Sequence, residues 1–462
     1  MQLHHPFHKT VSPGEVVSAH KAAGKRTRSL KVLFLACSFP PAQGSACVRT
    51  WNIAKHLARL GWAVTVVTPD PAVWRNIDDP RKVSQELDRH GIKRILTGHR
   101  WRCLSPYALN CWNGSIGWAL GGTCRKLARR FGIDSAIGWI NEAESACRSL
   151  TTDDVDVILA TGPPFSAFVL AKRLSEKLGC PYVLDYRDPW VVHPDSTSSA
   201  KQGTEKLERQ LIERCAAVTV VSRSLLKDRI NARSKLHVVT NGYDPEEMAS
   251  VQPYEFGHFA IVYAGNFYPP KRVITPLMQA LRCLKEKDPG RTAEWRFHYY
   301  GVHGDHVHKE AEKFVITDKV MIHGRVPRAE ALSAVRGSNV AVVITSVLEE
   351  KAEQDGGIVT GKIFELLGLH IPILLIGPSG ADVDEIVETA GLTRKVTASD
   401  INGMVSFLEE VMAGSPVKIK CADVYAWPNV IRELHAVLRE AVEERESLSH
   451  QHKTPEHQPH YD

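Results

Sequence analysis

The chain has 462 residues, a formal charge of +6, 43% hydrophobic residues and 24% charged ones. This length exceeds one ordinary core and the composition is that of a folded protein, so two domains are expected and general disorder is excluded. The charge is mild, and the basic clusters Lys93–Arg102 and Arg125–Arg130 lack the aromatic interleaving of a nucleic-acid reader. An anionic membrane face is the better-matched surface, and no nucleic-acid partner is expected. Ten cysteines form no Cys-x-x-Cys pair and no Cys/His zinc spacing, which fits reduced thiols in a cytoplasm. The first 28 residues are polar and lack the apolar core of a signal peptide. Apolar runs such as Val340–Val347 are too short to span a bilayer. The expected location is cytoplasmic, with peripheral attachment at the inner membrane face left open.

Residues 1–28 read as a tail. A buried strand at Leu30–Ala36 is followed by Pro40-Pro-Ala-Gln-Gly-Ser45, a helix from Val48 to Leu60, a Gly61 stop and a strand at Trp62–Thr68. This is a βαβ unit whose loop is not Gly-x-Gly-x-x-Gly. Gly44 either brings the backbone close to a ligand or only permits the turn. Residues 70–150 read as an irregular helical insertion, with Trp101, Trp112, Trp118 and Trp139 among arginines. Trp118–Arg130 fits an amphipathic helix with a basic face, serving as an acceptor platform or membrane contact. The simpler reading makes those tryptophans the core of an inserted layer.

Strand signals resume at Val155–Ala160, Tyr182–Asp185, Ala217–Val221 and His237–Thr240, completing a first domain over 29–250. Val251–Gly257 reads as the linker. A second α/β domain over 251–418 has strands at Ala260–Ala264, Trp295–Tyr300, Val320–His323 and Val340–Ile344. The expected fold class is α/β, two Rossmann-like domains facing across a cleft. Residues 419–446 read as a helix returning to the first domain, and 447–462 as a tail.

In the second domain, Asp355-Gly-Gly-Ile-Val-Thr-Gly-Lys-Ile-Phe-Glu365 is a glycine-bearing loop entering a helix near Thr360, before an apolar strand from Ile371 to Ile376. A helix start offers free N–H groups and a positive dipole end to a phosphate, and Glu365 one turn in reaches toward a ribose. The bland alternative is a dipole-complementing acid on an ordinary connector. The Ala264-Gly-Asn-Phe-Tyr-Pro-Pro-Lys271 loop adds a cation after a glycine turn, and His323-Gly-Arg-Val-Pro327 adds backbone groups suited to a base edge. Asp154-Val-Asp156 and Asp382-Val-Asp384 read as caps and solvated faces rather than metal ligands.

With these pieces in order, the sequence resembles the family 4 glycosyltransferases, retaining enzymes of the GT-B fold, over roughly residues 30–440. The matching motifs include Phe39-Pro-Pro-Ala-Gln-Gly44 with Arg49, Ala160-Thr-Gly-Pro-Pro-Phe-Ser166, Asp185-Tyr-Arg-Asp-Pro-Trp190, Thr240-Asn-Gly-Tyr-Asp244, Gly265…Lys271 and Lys362-Ile-Phe-Glu365. The subgroup it looks most like makes bacterial surface polysaccharides. The resemblance implies transfer of a sugar from a nucleotide-diphosphate donor to a glycan or lipid-linked acceptor, with no metal and no other cofactor. It implies that Lys271 neutralises the donor diphosphate and that Glu365 holds the ribose. By the same resemblance Thr360, Gly361, Lys362 and Ile363 form the phosphate loop, and Gly44 lies near sugar and phosphates. Gly265, Asn266, Arg272, Arg325 and Val326 join the donor site, and Asp188 faces the reacting sugar.

Two positions depart from the family pattern. Gly357 stands where the first acid of a Glu-x7-Glu motif is expected, with Glu353 and Asp355 as nearby substitutes. Asn266 stands where an arginine is usual, with Arg272 as the replacement cation. A GT-B sugar-nucleotide epimerase and a degenerate scaffold protein of a polysaccharide assembly complex are the alternative functions.

Overall fold

The computed structural model describes residues 28–105, 114–190, 196–226, 235–287, 294–349, 356–391, 393–414 and 422–451. Seven short apolar runs of the first half pair in parallel. They are β1 (Lys31–Leu35), β2 (Ala63–Pro69), β3 (Lys93–Thr97), β4 (Val157–Gly162), β5 (Tyr182–Tyr186), β6 (Ala217–Val220) and β7 (Leu236–Val238), in the order β3-β2-β1-β4-β5-β6-β7. β4 and β5 are buried along their whole length, because helices cover both faces of a parallel sheet. β1 pairs with β2 on one side and with β4 on the other, so the order reverses between β1 and β4.

The second half repeats the plan with β8 (Phe259–Ala264), β9 (Trp295–Tyr300), β10 (Val320–Gly324), β11 (Val340–Ile344), β12 (Ile373–Ile376) and β13 (Thr393–Val396). Their order is β10-β9-β8-β11-β12-β13, with the reversal between β8 and β11. Open parallel sheets take ligands outside the carboxyl ends of their strands at such a reversal.

Three differences from the sequence reading concern edges and boundaries. β3 lies inside the 70–150 stretch taken as irregular and helical. It is a partly exposed edge strand carrying Lys93 and Arg94, so its apolar signal is weak. The helices of that stretch are Pro80–Arg89, Gly114–Arg130 and Ile140–Ala146. β13, an edge strand of the second sheet, carries Arg394 and Lys395, and its apolar signal is equally weak. The chain enters the second core before the 251–257 linker: Tyr243 and Met248 pack with Ile363, Phe364 and Leu367. The helix Trp427–Gln451 packs Trp427, Ile431, Leu434 and Leu438 against Val32, Phe34, Ile53 and Val64 of the first domain.

The first domain is tied together by a buried ion pair. Arg49 donates to Asp185 at 2.7 and 3.1 Å, and to the carbonyls of Val239 at 3.0 Å and Thr240 at 2.8 Å. Asp185 also accepts from the hydroxyls of Thr161 at 2.7 Å and Thr219 at 2.8 Å. Burial alone would raise the Asp185 pKa, but the Arg49 charge and these donors leave it below the usual aspartate range. One pair thereby joins the first helix, β4, β5, β6 and the end of the first domain.

Candidate active site

The reversal points of the two sheets face each other across a cavity of about 850 Å³. The first domain contributes Gln43, Gly44 and Ser45 after β1, Pro163 and Phe165 after β4, and Arg187, Asp188 and Trp190 after β5. The second contributes Gly265, Asn266 and Tyr268 after β8, Gly301 and Val302 after β9, and Arg325 and Val326 after β10. Lys362 and Glu365, from the helix Gly361–Leu369, complete that wall together with Arg328. Every one of these loops leaves a strand at its carboxyl end.

Two helices start at this cavity without side-chain caps. Gly44 precedes Ser45–Arg59 at φ +143°, a region that favours glycine, and the first turn carries no acid. The Gly361–Leu369 helix likewise has an uncapped start at Thr360 and no acid in its first turn. Free N–H groups and the positive dipole end at each start suit an anion.

Lys362 is the cation nearest the second start. Its ammonium lies 5.6 Å from the centre of the Tyr263 ring, and a Cβ on residue 265 would fall 1.8 Å from it, so glycine there lets the lysine reach the β8 loop. Burial pushes its pKa down, against the pull of Glu365 and with an added push from Arg272, to about 8. Glu365 accepts a hydrogen bond from Arg328 at 2.7 Å, and Arg328 also holds Glu247 through two contacts at 2.9 and 3.1 Å. Burial lowers the Arg328 pKa less than these two carboxylates raise it.

Asp188 opens on the cavity, and its pKa is raised by burial against the opposing charge of Arg187. Arg187, whose own pKa burial lowers, donates to the carbonyl of Pro163 and leaves its Nε buried without a partner among the described residues. Arg325 donates to Gln43 at 3.1 Å, a direct bridge between the domains.

The sequence-derived residues divide into two groups. Gly44, Asp188, Gly265, Asn266, Arg325, Val326, Lys362 and Glu365 line one cavity. Lys271 is exposed and outside that lining, with its carbonyl accepting from Val347 N–H at 2.7 Å. Arg272 stacks its guanidinium 5.3 Å from the Tyr268 ring centre. Thr360 and Gly361 form the helix start, while Ile363 is fully buried in the second core and packs rather than lines. Gly357 sits against the first domain: its carbonyl accepts from Ser222 Oγ at 2.7 Å, and a Cβ there would lie 3.2 Å from Leu225 N. Glu353 and Asp355 lie outside the described residues.

Sequence reasoning missed Arg187 and Arg328 as cavity residues. Arg187 sat within a quoted motif, whereas Arg328 had no local signal beyond its place at a helix start. The two Asp-x-Asp pairs are engaged in the framework. Asp154 accepts from Thr151, Asp156 from Arg28 and the Lys31 N–H, Asp382 from Ser224, and Asp384 from the Gly380 N–H and Lys395.

Comparison with known proteins places this geometry. Two Rossmann-like domains across a cleft recur in sucrose-phosphate synthase from Thermosynechococcus elongatus (12% identity, TM-score 0.55, covering 91% of this chain and 98% of that one). They recur also in a glycosyltransferase from Rickettsia africae ESF-5 (14%, 0.54, 91% and 99%) and in Anabaena HepE in complex with UDP (14%, 0.51, 91% and 99%). At such identities the likeness establishes the fold, and the fold is GT-B. Residues 44–242 match the model of the glycosyl transferase 4-like domain. Residues 44–242 thus carry a glycosyl transferase 4-like domain within a GT-B fold, consistent with a family 4 glycosyltransferase. No curated protein matches it in sequence.

Proposed function

We propose that the chain transfers a sugar, with retention at the anomeric carbon, from a nucleoside-diphosphate donor to a hydroxyl of a glycan or lipid-linked acceptor. The setting we assign is polysaccharide biosynthesis at the cytoplasmic side of a membrane; no described helix is long and apolar enough to cross one. The observation that carries the reading is the second-domain wall, where Lys362, in the first turn of an uncapped helix, lines one cavity with the Gly265 loop. These groups suit a diphosphate, and the leaving group gains charge as its bond to the anomeric carbon breaks. Fixed donors aimed at developing charge stabilise the transition state without reorganising, and no metal is called for.

In this reading the electron pair of the breaking bond goes to the β-phosphate oxygen. The acceptor oxygen bonds to the anomeric carbon from the same face, and its proton passes to the departing phosphate. Asp188 orients the acceptor hydroxyl, and the Gln43–Arg325 bridge helps hold the domains together so that water is kept out. In this reading Lys362, which lines the cavity, neutralises the diphosphate, and Lys271 lies outside that lining. The same fold serves a putative UDP-N-acetylglucosamine 2-epimerase from Listeria monocytogenes (13%, TM-score 0.51), but the match over residues 44–242 favours transfer.

A melting-temperature panel of nucleoside diphosphates and nucleotide sugars tests the reading. One nucleotide class is expected to stabilise the protein, by about 2.7 kcal/mol at a hundred times its Kd. Glu365→Ala should shrink that shift severalfold. A flat panel across every nucleotide would overturn the proposal and favour the scaffold function.

A further inference from the structure

The whole excess of positive charge on this chain, 58 Lys and Arg against 52 Asp and Glu, is matched by one segment. Residues 98–133 hold Arg100, Arg102, Arg125, Lys126, Arg129 and Arg130 and no acid. Glu142 pairs with Arg100 at 2.5 Å. Asp134 is spent inside, accepting from Ala136 N, Phe165 N and Ser166 Oγ. The same segment exposes large apolar side chains: Trp101 at 60%, Leu120 at 47%, Leu127 at 52%, Phe131 at 58% and Ile133 at 44%.

The helix Gly114–Arg130 explains how both features share a surface. Leu120, Leu127 and Phe131 are spaced by seven and four residues, which puts them on one stripe. Ala128 is buried on the inward side. Lys126 and Arg130 are exposed on the side of the stripe away from Ala128. An apolar stripe bordered by cations is the pattern of a helix lying in a lipid headgroup layer. The stripe also runs to the site: Arg129, Gly132 and Ile133 line the cavity itself.

We propose that the Trp101, Leu120, Leu127, Phe131 and Ile133 surface, with Lys126 and Arg130, docks on an anionic lipid bilayer and presents the cavity mouth to an acceptor whose lipid tail stays in that bilayer. The lipid-linked acceptor rests on the transfer function proposed above; the docking surface does not. Leucine, phenylalanine and tryptophan enter the headgroup boundary while lysine and arginine meet lipid phosphates. Attachment therefore weakens as salt rises.

Vesicle sedimentation of the full chain tests this without any nucleotide. Vesicles of phosphatidylcholine alone are compared with vesicles containing about one third phosphatidylglycerol. Wild-type protein is expected to partition at least tenfold more strongly onto the anionic vesicles and to be released by high salt. L127S/F131S and K126E/R130E should each cut that partition at least tenfold while keeping the wild-type melting temperature and its nucleotide response. None of the four positions lines the cavity. Absent anionic-vesicle binding, equal binding to neutral vesicles, or unchanged binding in both variants would each overturn the proposal. A concentration-dependent dimer abolished by L127S/F131S would overturn it as well, by assigning the stripe to a second copy. A flat nucleotide panel with intact vesicle binding would instead refute the transfer reading alone.

Discussion

Replacing Lys362 with alanine is expected to reduce donor turnover by about a hundred- to a thousandfold, the loss of about 3–4 kcal/mol seen when a fixed donor to developing negative charge is removed. Ground-state affinity should fall less, by about ten- to a hundredfold, as for one charge-assisted contact. The pH profile carries the same signature. The folded pKa of Lys362 is depressed from 10.5 to about 8, so the ammonium that meets the diphosphate is present below pH 8 and lost above it. Donor affinity of the wild type should therefore decline as pH rises through about 8. Lys362→Arg, which stays charged, should flatten that decline. For folding the sign is opposite: between about pH 8 and 10.5 the unfolded chain binds the extra proton, so this group's contribution to stability rises with pH. Calorimetric titration of donor between pH 6.5 and 9.5 reads the affinity part. Turnover and affinity within twofold of wild type in Lys362→Ala would remove the lysine from the site.

Arg49→Ala should cost about 3–5 kcal/mol of folding stability, because it leaves Asp185 as a buried carboxylate whose remaining side-chain donors among the described residues are the Thr161 and Thr219 hydroxyls. The carbonyls of Val239 and Thr240 lose their donor at the same time. The pair Arg49→Met with Asp185→Leu should cost less than either single change, since no unpaired charge stays buried. Urea unfolding reads both results. A loss below about 1 kcal/mol in Arg49→Ala would show that the pair is not the tie described.

Much of the fold was legible because buried parallel strands are continuous apolar runs. Val157–Gly162, Tyr182–Tyr186 and Val340–Ile344 stand out from their flanks for that reason. The edge strands β3 and β13 did not stand out, since Lys93, Arg94, Arg394 and Lys395 are tolerated where one side faces solvent. The two-domain GT-B plan and the glycosyl transferase 4-like domain were readable from motif order along the chain. The resemblance names Lys362 among the donor residues, but that Lys271 lies outside the cavity lining was not readable. Lys271 and Lys362 look alike as residues, and only packing separates an exposed lysine after a proline pair from one folded over Tyr263 against Gly265. The Glu365–Arg328–Glu247 chain was equally invisible, because its members come from three helices distant in sequence.

The measurement that tests the central claim most directly is a crystal structure with the nucleoside diphosphate that gives the largest thermal shift. The account predicts a diphosphate between the Gly265 loop and the start of the Gly361–Leu369 helix, within hydrogen-bond reach of the Lys362 ammonium. A nucleotide whose phosphates lie away from both would contradict it.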